Sequence, residues 1–226
     1  MPSLVVNAVT DYIKRTANRP TFAAVTMVGW VKLGASTAST ERHLVSLRNS
    51  STSGAGCSRW TDNNFQPYDD ALGTTISPAP SEGSWFYLGF TRDTTNGSRF
   101  IWWNSGGTYQ ADEYALNGGT GTPTAMNVGT RAHYDDKGYI GKYAYWKVWD
   151  AVLSQAEMET ELPSTTFVRT ANANTGFAYS ATDISGNSRD WSLAAGVTVD
   201  NDDGPPIGPP VPGPKLHFVR SNIRWI

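Results

Sequence analysis

The sequence predicts an all-β protein in which short antiparallel strands form a sandwich or barrel. Aromatic residues make up 12% of its 226 residues, and charged residues make up only 17%. The chain also carries 22 glycines and 13 prolines, and turn-forming residues separate its short aromatic and β-branched runs. Runs of this kind, bounded by turn formers, are typical of strands and hairpins. The pattern therefore favours many strands and many turns around a sizeable core.

The clearest strand signals lie in three apolar runs, at residues 21–33, 84–91 and 139–149. Asn96-Gly97 follows the central run, and because Asn-Gly between apolar runs is a strong hairpin signal, residues 98–104 are predicted to pair back. Alternation in the third run predicts two faces, one with Ala144, Trp146 and Val148 and the other with Tyr143, Tyr145 and Lys147. Weaker patterns predict strands at 11–15, 43–47, 57–60, 125–129, 167–168, 177–180 and 191–199.

One helix is predicted, over residues 154–161. Ser154 followed three residues later by Glu157 is a capping box, in which each side chain binds the backbone N–H of the other residue. The helix is expected to stop at Leu162-Pro163, because the residue before a proline disfavours the α conformation.

The composition changes at Asp200, which predicts a β-sandwich body over residues 1–199 and a C-terminal arm over residues 200–226. Residues 201–214 are rich in proline, and such a stretch forms a semi-rigid extended spacer. An apolar tail with interleaved arginines follows, and we expect it to be a docking segment formed by Leu216, Phe218, Ile223, Trp225 and Ile226. The sequence leaves open whether this tail docks on its own sandwich or on a neighbouring chain.

Charge and composition exclude several classes of protein. The net charge of −2 argues against nucleic-acid binding, which needs clustered Lys and Arg. No apolar run approaches the roughly 20 residues that span a bilayer, so no membrane partner is expected. Residues 1–7 lack the basic region of a signal peptide, so we expect assembly in the cytoplasm where the chain is made. A single cysteine, Cys57, excludes an intramolecular disulfide and a multi-cysteine metal site.

Several segments occur in an order that carries a family resemblance. They are residues 85–93 (WFYLGFTRD), 100–106 (FIWWNSG), 126–129 (MNVG) and 141–158 (GKYAYWKVWDAVLSQAEM). This order resembles the laminin-G-like branch of the concanavalin-A-like lectin/glucanase superfamily, over residues 11–199. The resemblance implies a two-sheet antiparallel jelly roll, in agreement with the strand pattern.

Glycoside hydrolysis is the enzymatic option that this superfamily implies. Retaining glycosidases need two carboxylates about 5–5.5 Å apart, and the superfamily supplies them as Glu-x-Asp-x-x-Glu on a strand, a pattern absent here. Glu157, Glu159 and Glu161 lie on the predicted helix, where their spacing scatters them around the axis. Asp112-Glu113 lies in a loop, where solvated acids are expected. We therefore predict no catalytic residues and no enzyme.

Two loops have the composition of a glycan-binding site, in which an aromatic ring stacks on a sugar beside polar side chains. One loop holds Trp60, Asn63, Asn64 and Tyr68, and the other holds Tyr134 with two following aspartates. The alternative is that these rings fill the core, as expected for the strand tryptophans Trp30, Trp102 and Trp146.

Calcium is the one cofactor that the sequence leaves possible. Calcium takes six to eight oxygen ligands, and Asp62, Asp69 and Asp70, or Asp135-Asp136, would supply several of them. Asp and Asn are also the usual turn formers, so solvated turn residues are the alternative.

The sequence favours a non-catalytic structural component of a larger assembly, attached to other protein chains by its C-terminal arm. Laminin-G-like domains are common on viral particles, so the resemblance implies a virion surface protein, a decoration or fibre-associated protein of a tailed bacteriophage. The alternative is a free carbohydrate-binding module that recognises surface glycans, and a glycoside hydrolase is a third option.

Overall fold

The computed structural model describes residues 1–35, 42–50, 54–59, 64–69, 71–72, 77–78, 80–95, 97–104, 107–111, 121–132 and 134–207. Within these residues the chain forms two eight-stranded antiparallel sheets and one short helix. The predicted all-β sandwich is thus confirmed. No helix among the described residues is long and apolar enough to cross a membrane.

The strands and the helix follow one another along the chain as short elements. In order they are β1 (Ser3–Val6), β2 (Ile13–Arg15), β3 (Ala24–Leu33), β4 (Arg42–Arg48), β5 (Gly54–Arg59), β6 (Asn64–Asp69), β7 (Ala71–Leu72), β8 (Ser77–Pro78), β9 (Trp85–Asp93), β10 (Gly97–Asn104), β11 (Gly107–Ala111), β12 (Ala125–Val128), β13 (Gly141–Trp149), α1 (Gln155–Glu161), β14 (Ala173–Phe177), β15 (Ser192–Leu193) and β16 (Thr198–Asp200). Sheet 1 has the order β11-β10-β9-β3-β13-β1-β16, and β14 also pairs with β13. Sheet 2 has the order β15-β2-β12-β4-β5-β6-β7, and β8 also pairs with β6.

An inner core fills the space between the two sheets. Phe65 of sheet 2 contacts the rings of Phe86 and Phe100 of sheet 1, with ring centroids 5.7 and 5.9 Å apart. Trp102 and Trp146 are buried in this core, as predicted. Aromatic side chains bury large apolar areas, so these contacts hold the two sheets together.

A second core covers the outer face of sheet 1. Met158 and Leu162 pack there with the helix, against rings that include Trp30 and Trp103. Gly89 allows this approach, because a Cβ at its position would lie 2.8 Å from the Met158 sulfur. Trp30 is therefore buried as predicted, but in this outer layer and not between the sheets. Sheet 1 has apolar side chains packed on both faces.

The helix begins at the predicted capping box. The Glu157 N–H donates to the Ser154 hydroxyl at 3.3 Å, and the Ser154 N–H donates to the Glu157 carboxylate at 2.8 Å. At the other end, the fully buried Glu161 forms a salt bridge of 2.7 Å with Lys147 of β13, which is also fully buried. The Glu161 carboxylate also accepts the N–H groups of Val168 and Arg169. The helix is thus joined to sheet 1 by a buried ion pair as well as by apolar contacts.

A β-bulge interrupts the alternation of β13, so the predicted division of its side chains is wrong at two positions. Tyr143 lies in the inner core with Trp146, whereas Ala144 lies in the outer core with Tyr145. The register against β3 shifts between Ala144 and Lys147, and Tyr145 has a φ of 53°. The bulge places the Trp146 ring over Gly29, where a Cβ would lie 2.3 Å from Trp146 Cδ2. An extra residue of this kind moves the preceding side chains to the opposite faces.

The remaining strand predictions divide into confirmed and wrong ones. Most strands form within three residues of the predicted bounds, including the hairpin between β9 and β10. Residues 167–168 form no strand, because the Val168 N–H is bound by the Glu161 carboxylate and not by a neighbouring strand. The strand predicted at 177–180 ends at Phe177. The strand predicted at 191–199 is two strands, because the chain passes there from sheet 2 to sheet 1.

The residues on either side of the predicted body boundary lie against the sandwich; we call residues 198–207 the C-terminal strap. Its strand β16 pairs with β1, Pro205 is buried, and Ile207 packs on the second core. The Asp203 carboxylate binds Lys142 at 2.6 Å, Lys32 at 2.8 Å and the Trp85 indole N–H at 3.1 Å. Hydrogen bonds from the two ammonium groups hold the pKa of Asp203 far below its usual range. The rest of the predicted arm, with Leu216, Phe218, Ile223, Trp225 and Ile226, lies outside the described residues, so the division at 199/200 stays a prediction.

Candidate glycan-binding site

A row of outward-facing residues crosses the middle of sheet 2. Lys14, Asn127, Ser46, Gly56 and Tyr68 are successive register partners on β2, β12, β4, β5 and β6. On β12, β4 and β5 the residues on either side of this row belong to the inner core, as does Ile13 beside Lys14, so alternation directs the row to the outer face. The row is mainly polar, in contrast to the apolar outer face of sheet 1.

The loop between β12 and β13 lies over this row and meets β6 there. The Ala132 N–H and the Tyr68 hydroxyl both donate to the Ser46 hydroxyl oxygen, at 2.9 and 2.7 Å. Ser46 thus joins the two segments in which the sequence predicts glycan-binding residues. Their proximity depends on β4, which lies elsewhere in the sequence and carried no sign of a site.

Tyr134 stands at the exposed end of this loop. Its side chain is 45% exposed, and the Arg131 guanidinium lies 4.3 Å from the centre of its ring. Arg131 is itself held by Asp136 through two parallel hydrogen bonds of 2.7 and 2.6 Å. Such two-pronged pairs fix geometry as well as adding energy. The ring therefore rests on a guanidinium group that cannot easily turn away.

The backbone of the loop is fixed as well. The Arg131 N–H donates to the Asp136 carbonyl at 2.9 Å, and the Asp135 N–H donates to the Arg131 carbonyl at 3.0 Å. Asp135 and Lys137 have φ values of 51° and 50°, in the left-handed region. Non-glycine residues hold this conformation only where surrounding contacts impose it. The loop presents Tyr134 from a closed, hydrogen-bonded turn.

Asp135 connects the loop to the strands beneath it. Its carboxylate binds the Lys14 ammonium at 2.6 Å and the Asn127 amide nitrogen at 3.0 Å. Lys14 also lies 5.4 Å from the centre of the half-buried Tyr12 ring. Asn127 is fully buried, and its side-chain oxygen has no hydrogen-bond partner among the described residues. One surface therefore carries two tyrosines, two carboxylates and two cations, namely Tyr12, Tyr134, Asp135, Asp136, Lys14 and Arg131.

The other glycan-binding predictions have different outcomes. Tyr68 is only 5% exposed, and its ring is perpendicular to that of His43 with the centroids 5.1 Å apart, so it forms the floor of this face and offers no open ring. Asn64 is half-buried at the start of β6. Trp60 and Asn63 lie outside the described residues.

Several residues of the site escaped the sequence analysis. Arg131, Lys14, Asn127 and Ser46 come from three separate segments, and only Arg131 is close in sequence to Tyr134. The spacing of Arg131, three residues before Tyr134 and five before Asp136, was the one local signal. The others are recognisable only from strand register.

The predicted calcium ligands gain no support from the described residues. Asp135 and Asp136 are each bound by a cationic side chain, and no group of three His, Cys, Asp or Glu there is placed to hold a metal ion. Asp62 and Asp70 lie outside the described residues. Asp69 ends β6, and its side chain is not described.

Candidate catalytic groups in the described part of the chain are engaged in structural contacts. Glu157 caps the helix, Glu159 binds the Trp103 indole N–H at 3.1 Å, and Glu161 pairs with buried Lys147. The Cys57 thiol is fully buried, and burial raises its pKa well above the usual range, so it is a poor nucleophile. Asp112-Glu113 lies outside the described residues.

No protein-family model matches the chain, and no curated protein sequence does. Solved structures do match. A proposed carbohydrate-binding protein from Bacteroides ovatus is similar over 90% of this chain, with a TM-score of 0.62 at 10% identity. The heptameric SAP-like pentraxin of Limulus polyphemus is similar over 88% of this chain and 94% of its own, with a TM-score of 0.57 at 10% identity. The fold is that of the concanavalin-A-like jelly rolls.

These jelly-roll similarities concern the fold. This chain spans 61% of the Bacteroides ovatus protein, so that protein has a further part with no counterpart here. Domains LG4-5 of the mouse laminin α1 chain match 66% of this chain and 40% of theirs, with a TM-score of 0.47 at 10% identity. The predicted two-sheet jelly roll is confirmed, and function has to be argued from the site.

Proposed function

We propose that this protein is a non-catalytic carbohydrate-binding jelly roll whose site is the Tyr134 loop on the outer face of sheet 2. The observation that carries the proposal is the Tyr134 ring, 45% exposed and backed by the fixed Arg131 guanidinium. An aromatic ring offers a broad apolar face, which suits the C–H face of a pyranose. Because the ring is already held in place, little freedom is lost when a ligand binds.

Polar groups beside the ring supply the hydrogen bonds that a sugar requires. The side chains of Asp135 and Asp136 are 27% and 42% exposed, and their oxygens accept hydrogen bonds from hydroxyl groups. Lys14, with a side chain 19% exposed, is a donor at the same place. The shared fold with a proposed carbohydrate-binding protein supports the proposal, although fold alone does not fix function.

The proposed absence of catalysis rests on the engaged carboxylates. General acid–base hydrolysis needs two carboxyl groups facing one substrate bond. In the site, Asp135 and Asp136 are each held in an ion pair with a different cation, and each serves to fix the loop. Such an arrangement suits recognition and not proton transfer.

Substitution of Tyr134 tests the proposal. On a glycan array and in titrations of the glycans found there, Tyr134→Ala is expected to weaken binding at least about 10-fold, or about 1.4 kcal/mol, while Tyr134→Trp retains it. Tyr179→Ala is the matched control, because Tyr179 is 42% exposed but packs against Tyr145 on the side of sheet 1. Full-strength binding by Tyr134→Ala, or no glycan bound by the wild-type chain, overturns the proposal.

A second candidate is that the sandwich belongs to a larger assembly, such as the surface of a tailed-phage virion, to which its C-terminal tail attaches. The strap supports this candidate because it fixes the chain on the body as far as Ile207. Beyond Ile207 the sequence is basic: residues 208–226 carry three basic and no acidic residues, so the net charge of −2 divides into −5 before them and +3 within them. A basic, apolar tail suits a partner with an acidic, apolar groove or an open strand edge.

Removal of the residues after Ile207 tests whether the tail attaches the protein to a partner. A chain that ends at Ile207 keeps the buried Pro205 and the Asp203 contacts, so it should fold as the full chain does. Light scattering should give a multimer or a partner complex for the full chain, and a monomer for the shortened chain. A full-length monomer that joins no particle or partner rules this candidate out and leaves the first unaffected.

A further inference from the structure

Two cations beside Tyr134, Arg131 and Lys14, are already paired with aspartates of the protein. Arg131 uses Nε and Nη2 on both oxygens of Asp136, at 2.7 and 2.6 Å. Lys14 binds Asp135 at 2.6 Å. In each pair, one positive charge is matched by one negative charge at hydrogen-bond distance. A ligand with a carboxylate or sulfate must therefore displace an aspartate before it forms a strong ion pair with Arg131 or Lys14.

The carboxylate is the more exposed member of each pair. The Asp136 side chain is 42% exposed and Arg131 17%, while the Asp135 side chain is 27% exposed and Lys14 19%. A molecule that lies on Tyr134 thus meets carboxylate oxygens before it meets ammonium or guanidinium groups. Those oxygens accept hydrogen bonds from hydroxyl groups and repel other anions.

From these two observations we propose that the Tyr134 site selects neutral, hydroxyl-rich sugars and rejects acidic ones, with Asp135 and Asp136 as the specificity-determining residues. The inference rests on the proposed function and adds the class of ligand. Discrimination between ligands commonly uses a repulsive element against the wrong one as well as attraction for the right one. Here the exposed carboxylates provide both, because they accept from hydroxyl groups and repel sugar acids.

The position of Arg131 strengthens the inference. Its guanidinium lies against the Tyr134 ring, 4.3 Å from the centre, and is 83% covered as a side chain. A sugar acid would have to draw this group out from beneath the ring and so lose the platform on which the sugar stacks. Attraction to Arg131 and stacking on Tyr134 are therefore incompatible in one complex.

The test compares neutral with acidic oligosaccharides on the full-length protein. Wild-type protein is titrated with neutral hexose and N-acetylhexosamine oligomers and with their sialylated, uronate and sulfated counterparts. We expect binding to the neutral set, at least 10-fold weaker binding to the acidic set, and affinity for neutral ligands that changes little between low and high salt.

Two variants and one control connect the selectivity to the aspartates. Asp136→Asn should weaken neutral ligands and raise the ratio of acidic to neutral affinity at least 10-fold, because Arg131 loses its charged partner. Asp136→Glu keeps the negative charge and should raise the ratio much less than Asp136→Asn does. Asp202→Asn changes the net charge equally at an exposed strap position and is the control, which should leave the ratio unchanged. Thermal unfolding of each variant shows whether it is folded.

The outcomes separate this inference from the proposed function. A wild-type chain that prefers acidic glycans, or an unchanged ratio in folded Asp136→Asn, overturns the inference while carbohydrate binding stands. Binding to neither class overturns both. If Asp136→Asn does not fold, the wild-type protein still tests the inference by its preference for neutral or acidic ligands and by the salt dependence of its affinity. A strong salt dependence would mean that an unpaired cation binds the ligand, and it would overturn the inference.

Discussion

Lys147 and Glu161 show how a buried pair of residues adds to the apolar contacts that hold a helix on a sheet. Both side chains are fully buried, and they meet at 2.7 Å between β13 and the end of α1. Burial lowers the pKa of Lys147, and the contact with Glu161 partly offsets that effect. A buried pair adds little over apolar residues of the same size, but removal of one member leaves a charge without its partner.

Removal of the Lys147 ammonium is therefore expected to be costly. Lys147→Ala should lower the free energy of unfolding by about 3–5 kcal/mol, measured by urea denaturation. Arg169→Ala is the comparison, because the pair between Arg169 and Glu157 has side chains 35% and 39% exposed. A pair exposed to that extent is worth about 1 kcal/mol or less. Equal losses in the two variants would contradict this account of the buried pair.

The candidate site was predictable at the scale of residues only where its parts are close in sequence. The sequence Tyr134-Asp135-Asp136 is typical of a turn that carries an aromatic residue, and the Tyr134 ring lies at the surface of the structure. Lys14 lies more than a hundred residues away, and its contact with Asp135 depends on the pairing of β2 with β12. Tyr68 has the same residue type as Tyr134 but is buried by its contacts with Ser46 and His43.

At the scale of elements, β13 shows why strand patterns predict existence better than orientation. Its apolar run fixed the strand to within two residues, yet the bulge at Tyr145 moved Tyr143 and Ala144 to the opposite faces. The Trp146 ring needs the space above Gly29, which lies on another strand more than a hundred residues earlier. Contacts of this kind are absent from any local pattern, so the bulge could not be predicted from residues 139–149 alone.

Salt bridges of Asp203 hold the strap on the sandwich, so the contribution of the strap to the free energy of unfolding should depend on pH. The pKa of Asp203 is lowered in the folded protein because Lys142 and Lys32 stabilise its ionised form. A group with a lowered folded pKa adds stability above its unfolded pKa, about 3.9, and loses that contribution as the pH falls below it. Asp203→Asn should therefore lower stability at pH 7 by on the order of 1 kcal/mol, since the pairs are partly exposed.

The variant should also change the shape of the pH profile. As the pH falls below about 4 the wild-type protein progressively loses the Asp203 contribution, so Asp203→Asn should give a flatter curve of unfolding free energy on the acid limb. Asp190→Asn is a useful control, because Asp190 is remote from the two lysines and its side chain accepts the Asp183 N–H. Parallel acid-limb curves for wild type and Asp203→Asn would show that the lysine contacts do not stabilise the strap.

At the scale of the whole molecule, the two-sheet sandwich was predictable and its third layer was not. Turn-forming residues between apolar runs indicated a sandwich or barrel of short strands, and the resemblance to laminin-G-like domains implied two antiparallel sheets. One sequence pattern does indicate that sheet 1 is covered on its outer face. The sequence of β3, AVTMVGWVKL, is a nearly continuous apolar run, which is typical of strands buried on both faces. That signal does not say what provides the cover, because Met158 and Leu162 come from a different part of the chain.

The two apolar layers around sheet 1 have a consequence for how the molecule opens. Backbone amides exchange hydrogen with solvent through local openings, and those in strands packed on both sides exchange only when the whole structure unfolds. The amides of β3, β9 and β13 should belong to this slowest group, whereas those of β2 and β12 should exchange through smaller events. A sugar added to the protein should then slow the second group and leave the first unaltered. If the proposed site binds sugars, local opening there should leave the hydrogen bonds of β3, β9 and β13 intact.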